Sequence, residues 1–389
     1  MLYGIAAATA SFLLAALLAA LLRVPGLRLG VVDRRRQRPV PLLGGVAVVL
    51  VTGAVAWAGD RAGVVPLGSG VGRLLVAGAA VAALGLAADV WRLRRRWLVA
   101  GTAVAAACVV PYEVTGPVAG VCAVGWITLV AAAFRGLDHA DGVAGTVGVV
   151  TAFGVGACAA AELMDGLAVL LSVLAAALAG FLPHNRHPAR SALGACGSLF
   201  AGFLLAGAAV FTRPGREPWA DAGVLFALAA VACVDAVLVL LARRLAGRPA
   251  LRGGPDHLAH RLRKLGLTPQ GAVVVLGAAS FCSVLVGVLV HTGRVGEAAV
   301  LGVAVCAVAA VAGLLRVRVY GVPGRAGARV PGRAGARVPV GRPREGSQRP
   351  LGATASPGGA SSRGMIFPVR QARRSEKEQV SAALRVRNG

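Results

Sequence analysis

The side chains that could do chemistry lie in a few short stretches between long apolar blocks. Asp89 closes one such block. Arg135, Asp138, His139 and Asp141 follow a second; His184, Asn185 and His187 follow a third. Asp256, His257, His260 and Arg261 sit in the arginine-rich stretch before Gly271. Carboxylates suit a hard cation such as Mg²⁺, whereas imidazole and guanidinium groups suit phosphate oxygens. The combination fits a phosphate-bearing, nucleotide-linked ligand, provided the chain brings these stretches to one face. Loop charges that do not converge are simply solvated.

The intervening elements make convergence plausible. Of 389 residues, 57% are hydrophobic, and the mean hydropathy is +0.74. The apolar residues run in blocks long enough to cross ~30 Å of hydrocarbon as helices. They do not alternate as barrel strands would. The blocks predict an all-α polytopic membrane protein of about eleven transmembrane helices. The expected spans lie near 3–22, 41–58, 74–90, 97–110, 116–134, 142–161, 166–182, 197–211, 224–241, 271–290 and 296–315. Arginines fill the first, third and ninth loops, while the even-numbered loops are short and nearly neutral. By the positive-inside rule the N-terminus is outside, the C-terminus is cytoplasmic, and every polar stretch named above faces the cytoplasm. The expected setting is the bacterial cytoplasmic membrane.

The net charge of +25 follows this loop pattern and does not form a nucleic-acid-binding face, so no nucleic-acid partner is expected. Six of the seven cysteines lie inside apolar blocks without C-x-x-C spacing, so neither a disulfide framework nor a thiolate metal site is indicated. Residues 1–316 are read as the membrane domain and 317–389 as a basic, Pro/Gly/Arg-rich disordered cytoplasmic tail. Within it, Val322–Arg329 is repeated in tandem as Val330–Arg337. The tail's expected role is attraction to anionic membrane lipid. Asp235, inside the ninth span, is expected to pair with a neighbouring arginine. As the one carboxylate read in the interior of a span, with Asp89 at the end of another, it leaves a transporter as a remote alternative.

The order of the polar motifs adds a resemblance. They run Val40-Pro-Leu-Leu-Gly-Gly-Val46, Gly85-Leu-Ala-Ala-Asp89, Asp138-His-Ala-Asp-Gly-Val-Ala-Gly145 and Gly180-Phe-Leu-Pro-His-Asn185. Gly194-Ala-Cys-Gly-Ser198, Asp235, Arg243-Arg244 and His257-Leu-Ala-His-Arg-Leu262 follow. In this register, over roughly residues 30–270, the chain resembles the polyprenyl-phosphate N-acetylhexosamine-1-phosphate transferases. The resemblance implies transfer of a sugar 1-phosphate from a UDP-sugar to a polyprenyl phosphate, with release of UMP, in cell-envelope polysaccharide synthesis. It implies Mg²⁺ or Mn²⁺ as cofactor, with Asp89 and Asp141 as metal ligands.

Carried over position by position, Asp89, Asp138 and Asp141 become the expected catalytic carboxylates. His257, His260, Arg261 and Asn185 become the expected phosphate contacts. Four family positions are alanine here: Ala88, Ala144 and Ala195 replace carboxylates, and Ala259 replaces a histidine. Two readings stay open. One is an enzyme working with a reduced set; the other is a catalytically degenerate relative that binds lipid phosphate or nucleotide sugar, or partners an active enzyme. A homodimer or heteromer is compatible with either.

Overall fold

The computed structural model describes residues 2–33, 39–213, 218–249, 254 and 256–317. The tandem octapeptide and nearly all of the expected tail lie outside the described residues.

The apolar blocks fold as helices, as a chain must where lipid offers no hydrogen-bond partners. They are α1 (Leu2–Arg28), α2 (Gly44–Arg61), α3 (Gly68–Trp91), α4 (Arg95–Val109), a short α5 (Tyr112–Thr115), α6 (Pro117–Leu137) and α7 (Val143–Ala161). Then come α8 (Asp165–Asn185), α9 (Gly194–Phe211), α10 (Pro218–Leu228), α11 (Ala230–Leu245), α12 (Leu258–Lys264), α13 (Pro269–His291) and α14 (Ala298–Leu315). Between α1 and α2, β1 (Val32–Asp33) pairs antiparallel with β2 (Val40–Pro41), with Val32 opposite Pro41. The protein is an all-α multi-pass membrane protein. Eight of its described helices are long and apolar enough to cross a bilayer, or nine if α10 and α11 count as one span. Helix α2 and the 15-residue α4 fall outside that group.

The expected straight ninth span is broken. Helices α10 and α11 meet at 85°, because Ala229 leaves helical geometry at φ −121°, ψ 17°. The break frees the Leu228 carbonyl, which accepts a hydrogen bond from Thr151 Oγ1 of α7 at 3.4 Å. A side chain from a neighbouring helix thus satisfies the interrupted backbone.

Helix α9 is the hub. Every residue from Gly194 to Val210 is buried, with α2, α3, α6 and α7 packed around it. A helix that is apolar on all faces belongs in such a position. Phe134, Phe200 and Phe203 fill the spaces between helices, and glycines allow the closest approach. A Cβ at Gly45 of α2 would strike the Leu193 carbonyl and the Gly197 backbone, so the two helices touch main chain to main chain. At the periphery, α14 exposes Leu301, Val305 and Val308. That face suits lipid, where apolar side chains need no protein cover.

Candidate active site

The polar stretches converge at one end of this bundle, where α3 and α6 finish and α9 begins. Asp89 lies in the last turn of α3. Its Oδ2 accepts hydrogen bonds from the Ala195 and Cys196 N–H groups at 2.7 and 3.3 Å. These are first-turn donors of α9 with no partner inside their own helix, and a carboxylate there is favoured by the helix dipole. The approach depends on Gly194, whose φ is +66° and whose absent Cβ would lie 2.5 Å from Asp89 Oδ2. A side chain at 194 would strain the backbone and displace the carboxylate.

Arg135, in the last turn of α6, faces two acids. Its guanidinium lies 3.9 Å from Asp89 Oδ1 and 3.8 Å from Asp138 Oδ2. Asp138 is buried, while Arg135 remains about one-third exposed. Asp141 Oδ2 is 2.8 Å from His187 Nδ1 and accepts from the Ala189 N–H at 3.2 Å. Buried Asn185 accepts from the Gly142 N–H and donates to the Ser191 carbonyl, both at 2.9 Å. Together these bonds sew the 185–191 loop to the α6–α7 loop.

The third wall comes from α11 and α12. Asp235 is buried, and its partners among the described residues are not the expected arginine. Its Oδ2 lies 2.8 Å from His257 Nδ1, and its Oδ1 accepts from the Leu258 N–H at 2.7 Å. The His257 ring stacks on His139, with centroids 4.5 Å apart and planes inclined by 21°. His139 Nδ1 in turn lies 2.8 Å from the Gly136 carbonyl, which excludes a bond there unless Nδ1 carries the proton. Burial holds the His139 imidazole well below its usual range, with the charges of His257 and Arg135 adding to the effect. His260 is lowered by burial and then by His257 and Arg263. Two ring nitrogens, His257 Nε2 and His260 Nδ1, are buried without a hydrogen-bond partner among the described residues. An open cleft of about 430 Å³ beside His260 is lined by Arg263, Lys264, Leu267 and Pro269.

Not every expected site residue is available to a ligand. Arg261 is buried and donates through Nε to the Asp256 carbonyl at 3.1 Å. Its Nη1 donates to the Leu314 and Val317 carbonyls at 2.5 and 2.9 Å. It therefore ties α12 to the end of α14. Arg243, outside the expected set, holds the same segment through a two-point pair with fully buried Asp256, at 2.6 and 2.9 Å. Asn185 likewise uses both ends of its amide on backbone. Ala144, Ala195 and Ala259 are buried, and Ala88 packs against the same core. At these positions methyl groups occupy the places where the resemblance has ionisable side chains.

The expected divalent cation was tested against the donors. No group of three or more His, Cys, Asp or Glu side chains among the described residues is arranged to hold a metal ion. Asp89 is engaged by α9 and faces Arg135, Asp138 faces the same guanidinium, and Asp141 is held by His187 and Ala189. Any cation would compete with these internal donors. The described residues therefore form no cation site from three protein ligands alone, and the transfer is argued from the protein's own groups.

Comparison with known proteins agrees with the motif order. The model of glycosyl transferase family 4 matches residues 72–213, which span α3 to α9 and include Asp89, the Asp138–Asp141 stretch and Asn185. A Streptomyces coelicolor protein, provisionally named a glycosyltransferase, is 71% identical across 100% of this chain and 99% of its own length. The decaprenyl-phosphate N-acetylglucosaminephosphotransferase of Mycobacterium tuberculosis is 31% identical over 64% of this chain and 73% of its own. A phospho-N-acetylmuramoyl-pentapeptide-transferase of Symbiobacterium thermophilum is 31% identical over 42% of this chain and 47% of its own. On the converging site and these matches together, the chain belongs to glycosyl transferase family 4, the polyprenyl-phosphate N-acetylhexosamine-1-phosphate transferases.

Proposed function

We propose that the protein transfers a sugar 1-phosphate from a UDP-sugar to a polyprenyl phosphate at the cytoplasmic face of the bacterial inner membrane. A phosphate oxygen of the lipid attacks the sugar-bearing phosphorus of the donor. The bond from that phosphorus to the bridging oxygen breaks, and UMP leaves. Such a reaction needs the two phosphates held in line and their negative charge offset.

The observation that carries this reading is the single polar group formed by the ends of α3 and α6, the start of α9, and α12. It presents the guanidinium of Arg135 and the partnerless buried nitrogens of His257 and His260. A buried polar atom left unpaired costs about 1–3 kcal/mol, and a ligand's phosphate oxygens or hydroxyls would remove that cost. The basic lip at Arg263 and Lys264 supports an anionic ligand approaching from this end. The names of the relatives support the class of lipid acceptor. Neither those names nor the geometry point to a binding-only role.

The test is UMP release by purified protein in lipid, using undecaprenyl or decaprenyl phosphate and a panel of UDP-sugars. Each mixture is run with Mg²⁺, with Mn²⁺ and with chelator. Release that requires both lipid phosphate and one UDP-sugar is expected. Folded protein that releases no UMP in any arm would overturn the proposal.

A further inference from the structure

The Asp235–His257 pair goes beyond any function assigned so far. Asp235 projects from α11 and is 1% exposed. Its two carboxylate oxygens divide their work. Oδ1 takes the Leu258 N–H at 2.7 Å, anchoring the first turn of α12, and Oδ2 sits 2.8 Å from His257 Nδ1. An ionised carboxylate only accepts, so the proton in the second bond belongs to Nδ1. Ring rotation and tautomer are thereby both set. Gly136 leaves room for this: a Cβ there would come within 3.3 Å of Asp235 Oδ2 and 3.4 Å of His257 Cε1. His139 covers one face of the ring. Nε2 is then the one ring nitrogen left open, buried and without a partner among the described residues.

We infer that Asp235 is a positioning residue for the transfer: by holding the proton on Nδ1 it keeps His257 Nε2 as a lone-pair acceptor facing the ligand's phosphate. The chemical partner of that lone pair is a P–O–H group. The lipid phosphate in its singly ionised form carries one, and passing its proton to Nε2 leaves the oxygen free to attack the donor phosphorus. The proton goes to His257, the new phosphorus–oxygen bond joins lipid to sugar phosphate, and the broken bond releases UMP.

This inference rests on the proposed transfer, and Asp235→Asn separates the two. The amide keeps the carboxylate's shape and one acceptor oxygen. If that oxygen stays on the Leu258 N–H, the NH₂ group donates to Nδ1, and the proton moves to Nε2. A proton-transfer group contributes about 10²–10⁴-fold, and a ring held in the wrong tautomer forfeits much of it. The expected result is a fall of that size in kcat, with KM for the UDP-sugar changed little and the melting temperature close to that of the parent.

The second readout does not depend on turnover. In protein with ¹⁵N-labelled histidine, observed above the range in which imidazole is charged, the His257 signals are assigned by their loss in His257→Gln. They should report an unprotonated Nε2 in the parent and a protonated Nε2 in Asp235→Asn. Identical ring spectra in the two proteins, or unchanged kcat with a clear drop in melting temperature, would overturn the inference. A parent without UMP release but with the expected exchange of tautomers would instead defeat the proposed transfer alone.

Discussion

Two polar clusters at opposite ends of the same helices use the same side chains for different ends. Helices α7, α9 and α13 each begin near the site. Each runs about 25–35 Å, at 1.5 Å per residue, to Glu162, Arg213 and His291. There Arg213 Nε meets Asp221 at 2.6 Å, Arg213 Nη1 lies 3.0 Å from His291 Nδ1, and His291 Nε2 faces Glu162 at 3.2 Å. Both nitrogens of that imidazole have a polar neighbour. At the site end, Asp235 occupies one nitrogen of His257 and the other is left open. The far cluster is a staple between helix ends, and the near one is a staple with a free atom. Histidine and aspartate alone do not mark a site; an open ring nitrogen among the converging motif residues does.

Variants should separate the two ends. The largest stability loss is expected at the site end, from a residue that is not itself part of the chemistry. Arg243→Ala removes the two-point pair of fully buried Asp256 and should cost about 3–5 kcal/mol, read as a lower unfolding midpoint in detergent or nanodiscs. At the far end, Arg213→Ala leaves Asp221 partly exposed and able to find water. A cost of about 1–3 kcal/mol is expected, with UMP release per folded molecule essentially unchanged. A large loss of turnover at unchanged stability in this variant would erase the distinction between the ends.

The smallest effect concerns pH. The folded state holds His260 below its ordinary value of 6.5. Below that value the unfolded chain binds the proton and the folded chain resists it. Stability should therefore fall as pH drops through about 6.5 toward the lowered folded value, with no contribution above it. His260→Asn should flatten the dependence of the melting temperature on pH in this window. An unaltered slope would remove His260 from the buried site.

Much of the architecture could be read from block length, because lipid forces a long apolar run into a helix whatever its neighbours. The break at Ala229 escaped that reading. Residues 224–241 look like an uninterrupted span, and the Thr151 hydroxyl that accommodates the break lies 77 residues from Leu228. The site was legible as a set of segments, since Asp89, Arg135, Asp138, Asp141, His257 and His260 all gather at one end. Partnership was less legible. Arg261 looks like a phosphate ligand by type, yet its guanidinium serves a carbonyl 53 residues away. Asp235, expected to pair with arginine, instead holds the His257 imidazole and the Leu258 N–H, 22 and 23 residues further along the chain. Such choices depend on which groups burial leaves without water.

The most direct test of the account sets His257→Ala against Arg213→Ala in the UMP-release assay, with the melting temperature of each measured in the same lipid. His257→Ala should lose transfer per folded molecule by about 10²–10⁴-fold, the range for a positioned proton-transfer group, on top of the stability lost by leaving the buried Asp235 Oδ2 without its imidazole. Arg213→Ala should lose stability and keep its rate per folded molecule. Near-parental turnover in folded His257→Ala would contradict the central claim that the open imidazole, where α6 ends and α9 begins, faces the reacting phosphate.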